Sequence, residues 1–226
     1  MSISNSHIQL DTALTDYLLC VEAALFVALL HRSHSASRAK LMSELLFATL
    51  AAASLLGGLS HSLLTDERST LYRVVWTMTM IAIGGIGWSA WNLGASLLAG
   101  RWKLPMAVAS TAAFTIYSAV VLCFSQRYLI AIGHYLIGVV FLLAALTWLL
   151  RRGTPGTLLA FSGVLLSVLA PTPHLLEYSP FPDQLSPNAI YHLLQAFALV
   201  LIYRGITRLL PIHESRRASP ENLTTP

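Results

Sequence analysis

Apolar residues in this chain run in long blocks broken by short polar segments. Seven blocks stand out: 12–30, 41–64, 71–98, 104–124, 128–150, 157–170 and 188–209. A helix crosses a bilayer with about 20 apolar residues, and most blocks reach that length. They are apolar around most of the helix rather than along a single 3.6-residue stripe, which predicts helices with apolar surroundings on most sides. The predicted fold is all-α, a polytopic membrane bundle of seven transmembrane helices spanning 12–210. A short polar segment, 1–11, precedes it. A polar tail, 211–226, follows and is expected to be disordered. The sixth block is short and stops at Pro171. The third carries "GGIGWSAWNLGASLLAG", whose small residues let neighbouring backbones approach; it lacks the strand and lysine of a nucleotide loop.

Composition sharpens this picture. Of 226 residues, 55% are hydrophobic and 11% charged, against roughly 25% charged in soluble domains. Mean hydropathy is +0.66. The net charge of +4 comes with no Lys/Arg run interleaved with aromatics, so nucleic acid is not an expected partner, whereas membrane lipid is. The basic residues instead report orientation. Arg32, Arg38, Lys40, Arg101, Lys103, Arg151, Arg152, Arg204, Arg208, Arg216 and Arg217 flank one side of the spans, and only Arg68, Arg73 and Arg127 the other. Eleven against three places the N-terminus outside and the C-terminus in the cytoplasm. The first ten residues contain no Lys or Arg, so no cleaved signal peptide is expected. Cys20 and Cys123 fall inside apolar blocks and read as inert core thiols.

With that orientation every polar residue acquires a depth, at about 1.5 Å per residue. Glu22 lies near mid-membrane and Asp16 closer to the outside. His61 comes late in span two, His134 two turns into span five, and Asn188 and His192 at the mouth of span seven. The outer loop adds His174, Glu177 and Asp183. In span seven Asn188, His192 and Gln195 share a helical face; in span two Ser54, Gly57 and His61 do, with Ser60 beside them. Thr15 lies on the face of Glu22, while Asp16 is about 120° away, so the two acids need not converge. The inner half has only Asn92 and Glu44 as comparable groups. A charge at mid-bilayer costs at least about 2.5 kcal/mol and normally faces a partner or water, which makes the one-sided gathering informative. The competing reading is structural: interhelical hydrogen bonds for the histidines, and an N-cap for Asn188 after Pro187.

The acid in span one, the histidine late in span two and "NAIYHLLQ" at the start of span seven resemble the alkaline ceramidase and progestin/adiponectin-receptor superfamily. That resemblance implies a metal-dependent hydrolase of a lipid amide or ester. Its zinc would be held by a span-two histidine and an H-x-x-x-H pair in span seven, with a nearby Ser and Asp. His61 and His192 match two of those ligands, Glu22 resembles the span-one acid, and His134, Glu22 or Asp16 must supply the third. Glu22, Asp16 and Ser60 are then the catalytic candidates, and Asn188, Gln195 and Ser54 the pocket. Asn188 stands where the first histidine of the pair belongs, Gly57 where the serine does, and Thr77 and Thr79 where an early span-three Asp is expected. The "YH-x-x-Q" pattern followed by Tyr203-Arg204-Gly205 is similar to a bacterial branch of such proteins, which implies the inner (cytoplasmic) membrane.

Two other readings remain open on the residues. Two imidazoles on separate spans at like depth can ligate a b-type haem, with Arg68 and Arg73 as the outer propionate partners. Alternatively the chain is a non-catalytic receptor, lipid-binding subunit or assembly partner, its polar groups serving as helix-to-helix hydrogen bonds.

Overall fold

The computed structural model describes residues 3–33, 37–64, 66–98 and 103–218, with side chains described from 10 to 210. Eight helices appear there: α1 Ile3–His31, α2 Arg38–Ser62, α3 Thr70–Leu97, α4 Lys103–Cys123, α5 Tyr128–Arg151, α6 Thr157–Leu169, α7 Thr172–Leu175 and α8 Pro187–Ala218. No strand occurs among the described residues. Among the described residues seven spans are long and apolar enough to cross a membrane, the short α7 continuing α6 to complete the sixth, Thr157–Leu175.

Two ends differ from expectation. The polar segment 1–11 is helical from Ile3, so Asp11 is presented from a helix rather than from a strand of coil. At the other end α8 continues past Leu210 to Ala218, so residues 211–218 of the expected disordered tail are helical; residues 219–226 lie outside those described. Pro211 does not stop the helix. A proline is one lost N–H among many in a long helix, and Glu214, Arg216, Arg217 and Ala218 all have good helix propensity.

Six helices close a ring. α1 packs on α2, α2 on α3, α3 on α5, α5 on α6, α6 on α8, and α8 back on α1. α4 stands outside it, resting mainly on α3. Small residues permit the closest crossings. A Cβ on Gly138 of α5 would overlap the Gly87 carbonyl of α3, and one on Gly205 of α8 would overlap the Ala160 backbone of α6. Leu19, Phe26, Phe47, Leu93, Leu146, Leu199 and Ile202 fill the ring's centre, and Phe26 stacks on Tyr203 at 4.5 Å. The outer face of α1 exposes Leu14, Leu18, Val21 and Leu25, positions that a water-facing helix would give to charged residues. α4 buries only Ser110, Tyr117 and Val121. Cys123 at its end is therefore exposed rather than in a core, while Cys20 is half-buried.

Candidate functional site

The site is built from the mouth of α8 upward. Ser186 caps that helix: its Oγ accepts from the Ala189 amide at 3.1 Å, with Pro187 at the first helical position, where a missing N–H costs nothing. The Ser186 amide donates to Asp11 Oδ2 at 2.6 Å and its hydroxyl to Asp11 Oδ1 at 3.2 Å, and Thr12 Oγ1 lies 3.1 Å from the same hydroxyl. Asp11 and Thr12 thus fix the register of α1 against α8. The cap is Ser186, not Asn188, which is half-buried at the second helical position.

One turn deeper the same register brings Thr15 and Asp16 to His192. Thr15 Oγ1 is 3.0 Å from His192 Nδ1, and Asp16 Oδ1 is 3.5 Å from His192 Nε2. Asp16 and His192 are both buried, at 5% and 7% exposure. Thr15 Oγ1 also lies 2.9 Å from the Asp11 and Thr12 carbonyls, to which its hydroxyl donates. His192 thus presents one ring nitrogen to Thr15 and the other to Asp16. The Asp16 carboxylate lies against α2 where Gly57 has no side chain; a Cβ there would stand 3.1 Å from Oδ2.

Other polar groups gather at this end. His61 on α2 lies close enough to His192 and to His174 for their charges to interact. Tyr128 on α5 and Tyr191 on α8 are in similar range of Asp16, and Tyr135 of Tyr128. Tyr191 and His192 rings are 4.9 Å apart. Tyr191 entered the sequence reading only as part of the YH-x-x-Q pattern, and Tyr128 and Tyr135 were not singled out, since an aromatic in an apolar block reads as core. Ser186 was also missed, though Ser-Pro ahead of an apolar run is a recognisable helix start.

His134 is elsewhere. Tyr135 occupies the ring-facing side of α5, and adjacent residues on a helix point about 100° apart, so His134 is turned toward α4. There it stacks on Tyr117 at 4.5 Å, with Phe114 at 6.0 Å, and its Nε2 has no hydrogen-bond partner. Glu22 is half-buried farther along α1, its Oε2 also without a partner. Ser60 donates its hydroxyl to the Leu56 carbonyl at 3.0 Å, as back-bonded helical serines do, and is not poised as a nucleophile. Ser54 is buried in α2. Gln195 Nε2 donates to Ser167 Oγ at 3.0 Å and ties α8 to α6. Toward the other end of the bundle Asn92 donates to Ser110 and accepts from Arg38, and Glu44 pairs with Lys40 and His31, so both act as interhelical ties.

The zinc implied by the family resemblance does not fit these donors. Among the described residues no group of three or more His, Cys, Asp or Glu is placed to hold a metal ion. His134 is turned away, and His192 has both ring nitrogens engaged by Thr15 and Asp16. The same engagement leaves His192 no free nitrogen for haem ligation.

Residues 12–211 match a family model described as a family of unknown function (DUF6962). No curated protein matches the chain, and no solved structure does.

Proposed function

The chain belongs to the DUF6962 family, and from that premise we propose that it is an integral membrane binding protein, a receptor or ligand-binding subunit, with an outward-facing site centred on Asp16 and His192. The N-terminus lies outside and the C-terminus in the cytoplasm, following the eleven-to-three bias of basic residues, in the inner membrane of a bacterial cell. The observation that carries this reading is the buried Asp16–His192 pair at 3.5 Å. Burying an acid and an imidazole inside an apolar bundle is costly, and packing alone would be served by leucine at both positions. The pair lies within the first two turns of α8, on the outer side in this orientation. A hydrolytic role finds less support: Ser60 is back-bonded, and a metal lacks its third ligand.

Accessibility tests the proposal. In a Cys20→Ser, Cys123→Ser background, Asn188→Cys is expected to react with a membrane-impermeant thiol reagent added outside sealed right-side-out vesicles. Labelling from the cytoplasmic side alone would reverse the orientation, and absence of labelling from either side would remove an open site.

A further inference from the structure

At the opposite end of the bundle the chain turns from α5 into α6 through "RRGTPGT", residues 151–157. α5 ends with the Thr154 amide donating to the Leu149 carbonyl at 3.2 Å and the Gly153 amide to Leu150 at 2.9 Å, Gly153 standing at φ +64°. Gly156, at φ +83°, opens α6 and has no side chain to cap it. The Leu158 and Leu159 amides of the first turn are left without an acceptor among the described residues. A bare helix start draws anions, but every helix has one.

Three observations set this one apart. Thr154 and Thr157 bracket the turn, the Thr157 amide donating to the Thr154 carbonyl at 3.3 Å, and are 5% and 0% exposed. Neither hydroxyl has a hydrogen-bond partner, a rare state for a buried polar atom. Thr49, Thr79 and Thr147 instead bond back to the carbonyl one turn earlier; Thr157, the first residue of its helix, has no such turn behind it. Positive charge surrounds the turn. Arg151 and Arg152 precede it, and a Cβ on Gly156 would come 2.6 Å from the Cβ of Arg208 on α8. All three arginines are exposed, and among the described residues none has an ion pair. Finally, the turn is open. Arg151, Arg152, Gly153 and Pro155 are exposed, and a Cβ on Gly153 would meet nothing within 4 Å.

We propose that the α5–α6 turn binds a phosphate group. Its oxygens accept from the Leu158 and Leu159 amides and the Thr154 and Thr157 hydroxyls, and Arg208 and Arg151 balance its charge. A lipid headgroup and a free phosphate both offer that chemistry. The site is separate from the outward-facing one and stands without it.

The purified full-length chain in detergent, in phosphate-free buffer, tests this by thermal unfolding. The probes are inorganic phosphate, dioleoylphosphatidic acid, dioleoylglycerol and, at matched ionic strength, sodium chloride. A saturable rise in the midpoint is expected with a phosphate-bearing probe and not with dioleoylglycerol or chloride. A response to phosphatidic acid alone assigns a lipid headgroup, and a response to inorganic phosphate assigns the free ion. Thr154→Val with Thr157→Val should leave the bare protein's midpoint no lower, since no bond is lost, yet raise the half-saturating concentration about tenfold. Arg208→Gln should weaken binding about tenfold as well, whereas Arg204→Gln, one turn away on α8, should not. Should the double threonine variant not fold, the contrast between Arg208→Gln and Arg204→Gln decides. No response to either phosphate-bearing probe would overturn the proposal. So would an equal response to chloride or dioleoylglycerol, undiminished binding in the folded threonine variant, or equal losses at Arg204 and Arg208.

Discussion

His192 and His134 make a natural comparison. Each stands about two turns inside its helix from the N-terminal end, the sixth residue of α8 and the seventh of α5. From sequence they are equivalent, yet their surroundings are opposite in kind. His192 is buried between a carboxylate and a hydroxyl, both ring nitrogens in use. His134 lies flat against Tyr117 with its Nε2 unpartnered, behaving as an aromatic plate between α4 and α5. A histidine at the right depth is therefore not evidence of a site. What distinguishes the two is the neighbouring helix: α1 brings Asp16 and Thr15 to His192, while α4 offers His134 only rings.

The comparison can be strained from both sides. The largest effect is expected at the crossing beside His134. Gly138→Val would drive a side chain into the Gly87 backbone and cost upwards of about 3 kcal/mol, the high end for overpacking, seen as loss of monodisperse protein. Gly133→Val, with nothing within 4 Å of the new atom, should leave the yield unchanged. Next comes His192→Phe. It strips Thr15 and Asp16 of their partner and should lower stability by about 2 kcal/mol, read as a depressed thermal midpoint in detergent. Ser186→Ala removes the cap of α8 and a partner of Asp11, at about 1 kcal/mol. The smallest effect is expected for His134→Phe, about 0.5 kcal/mol, because an aromatic ring keeps the stack and removes an unpartnered nitrogen, losing only the hydrogen bond to the Gly84 backbone. If His134→Phe proved more damaging than His192→Phe, the contrast drawn here would be wrong. Metal content is expected to show no difference. One zinc per chain, lost in both His61→Ala and His192→Ala, would contradict the donor arrangement described.

Much of the bundle was legible along the chain. The seven apolar blocks coincide with the seven spans to within a few residues, because the length needed to cross a bilayer is a local property of each segment. The glycines of α3 also did what small residues in apolar helices do, with Gly87 meeting α5. The site was legible only in part. Asp16, His61 and His192 do gather at one end, as their depths implied. Depth, however, is one coordinate of two. The azimuth that turns His134 to α4, and Gln195 to Ser167 on α6, depends on which helices are neighbours, and the chain order does not show that α4 stands outside the ring. Asp11 illustrates the same limit: it looked like part of a polar leader, and its role is to hold the start of a helix 175 residues away.

By itself the sequence determined that seven segments are too apolar for water and that their basic flanks fall mostly to one side. Both follow from transfer free energies that each segment carries wherever it is placed. Tertiary structure decided which polar residues became partners. It closed α8 on α1 and seated Asp16 against Gly57 and beside His192, because a hydrogen bond or a shared proton depends on distances of about 3 Å. Only packed helices set distances that fine.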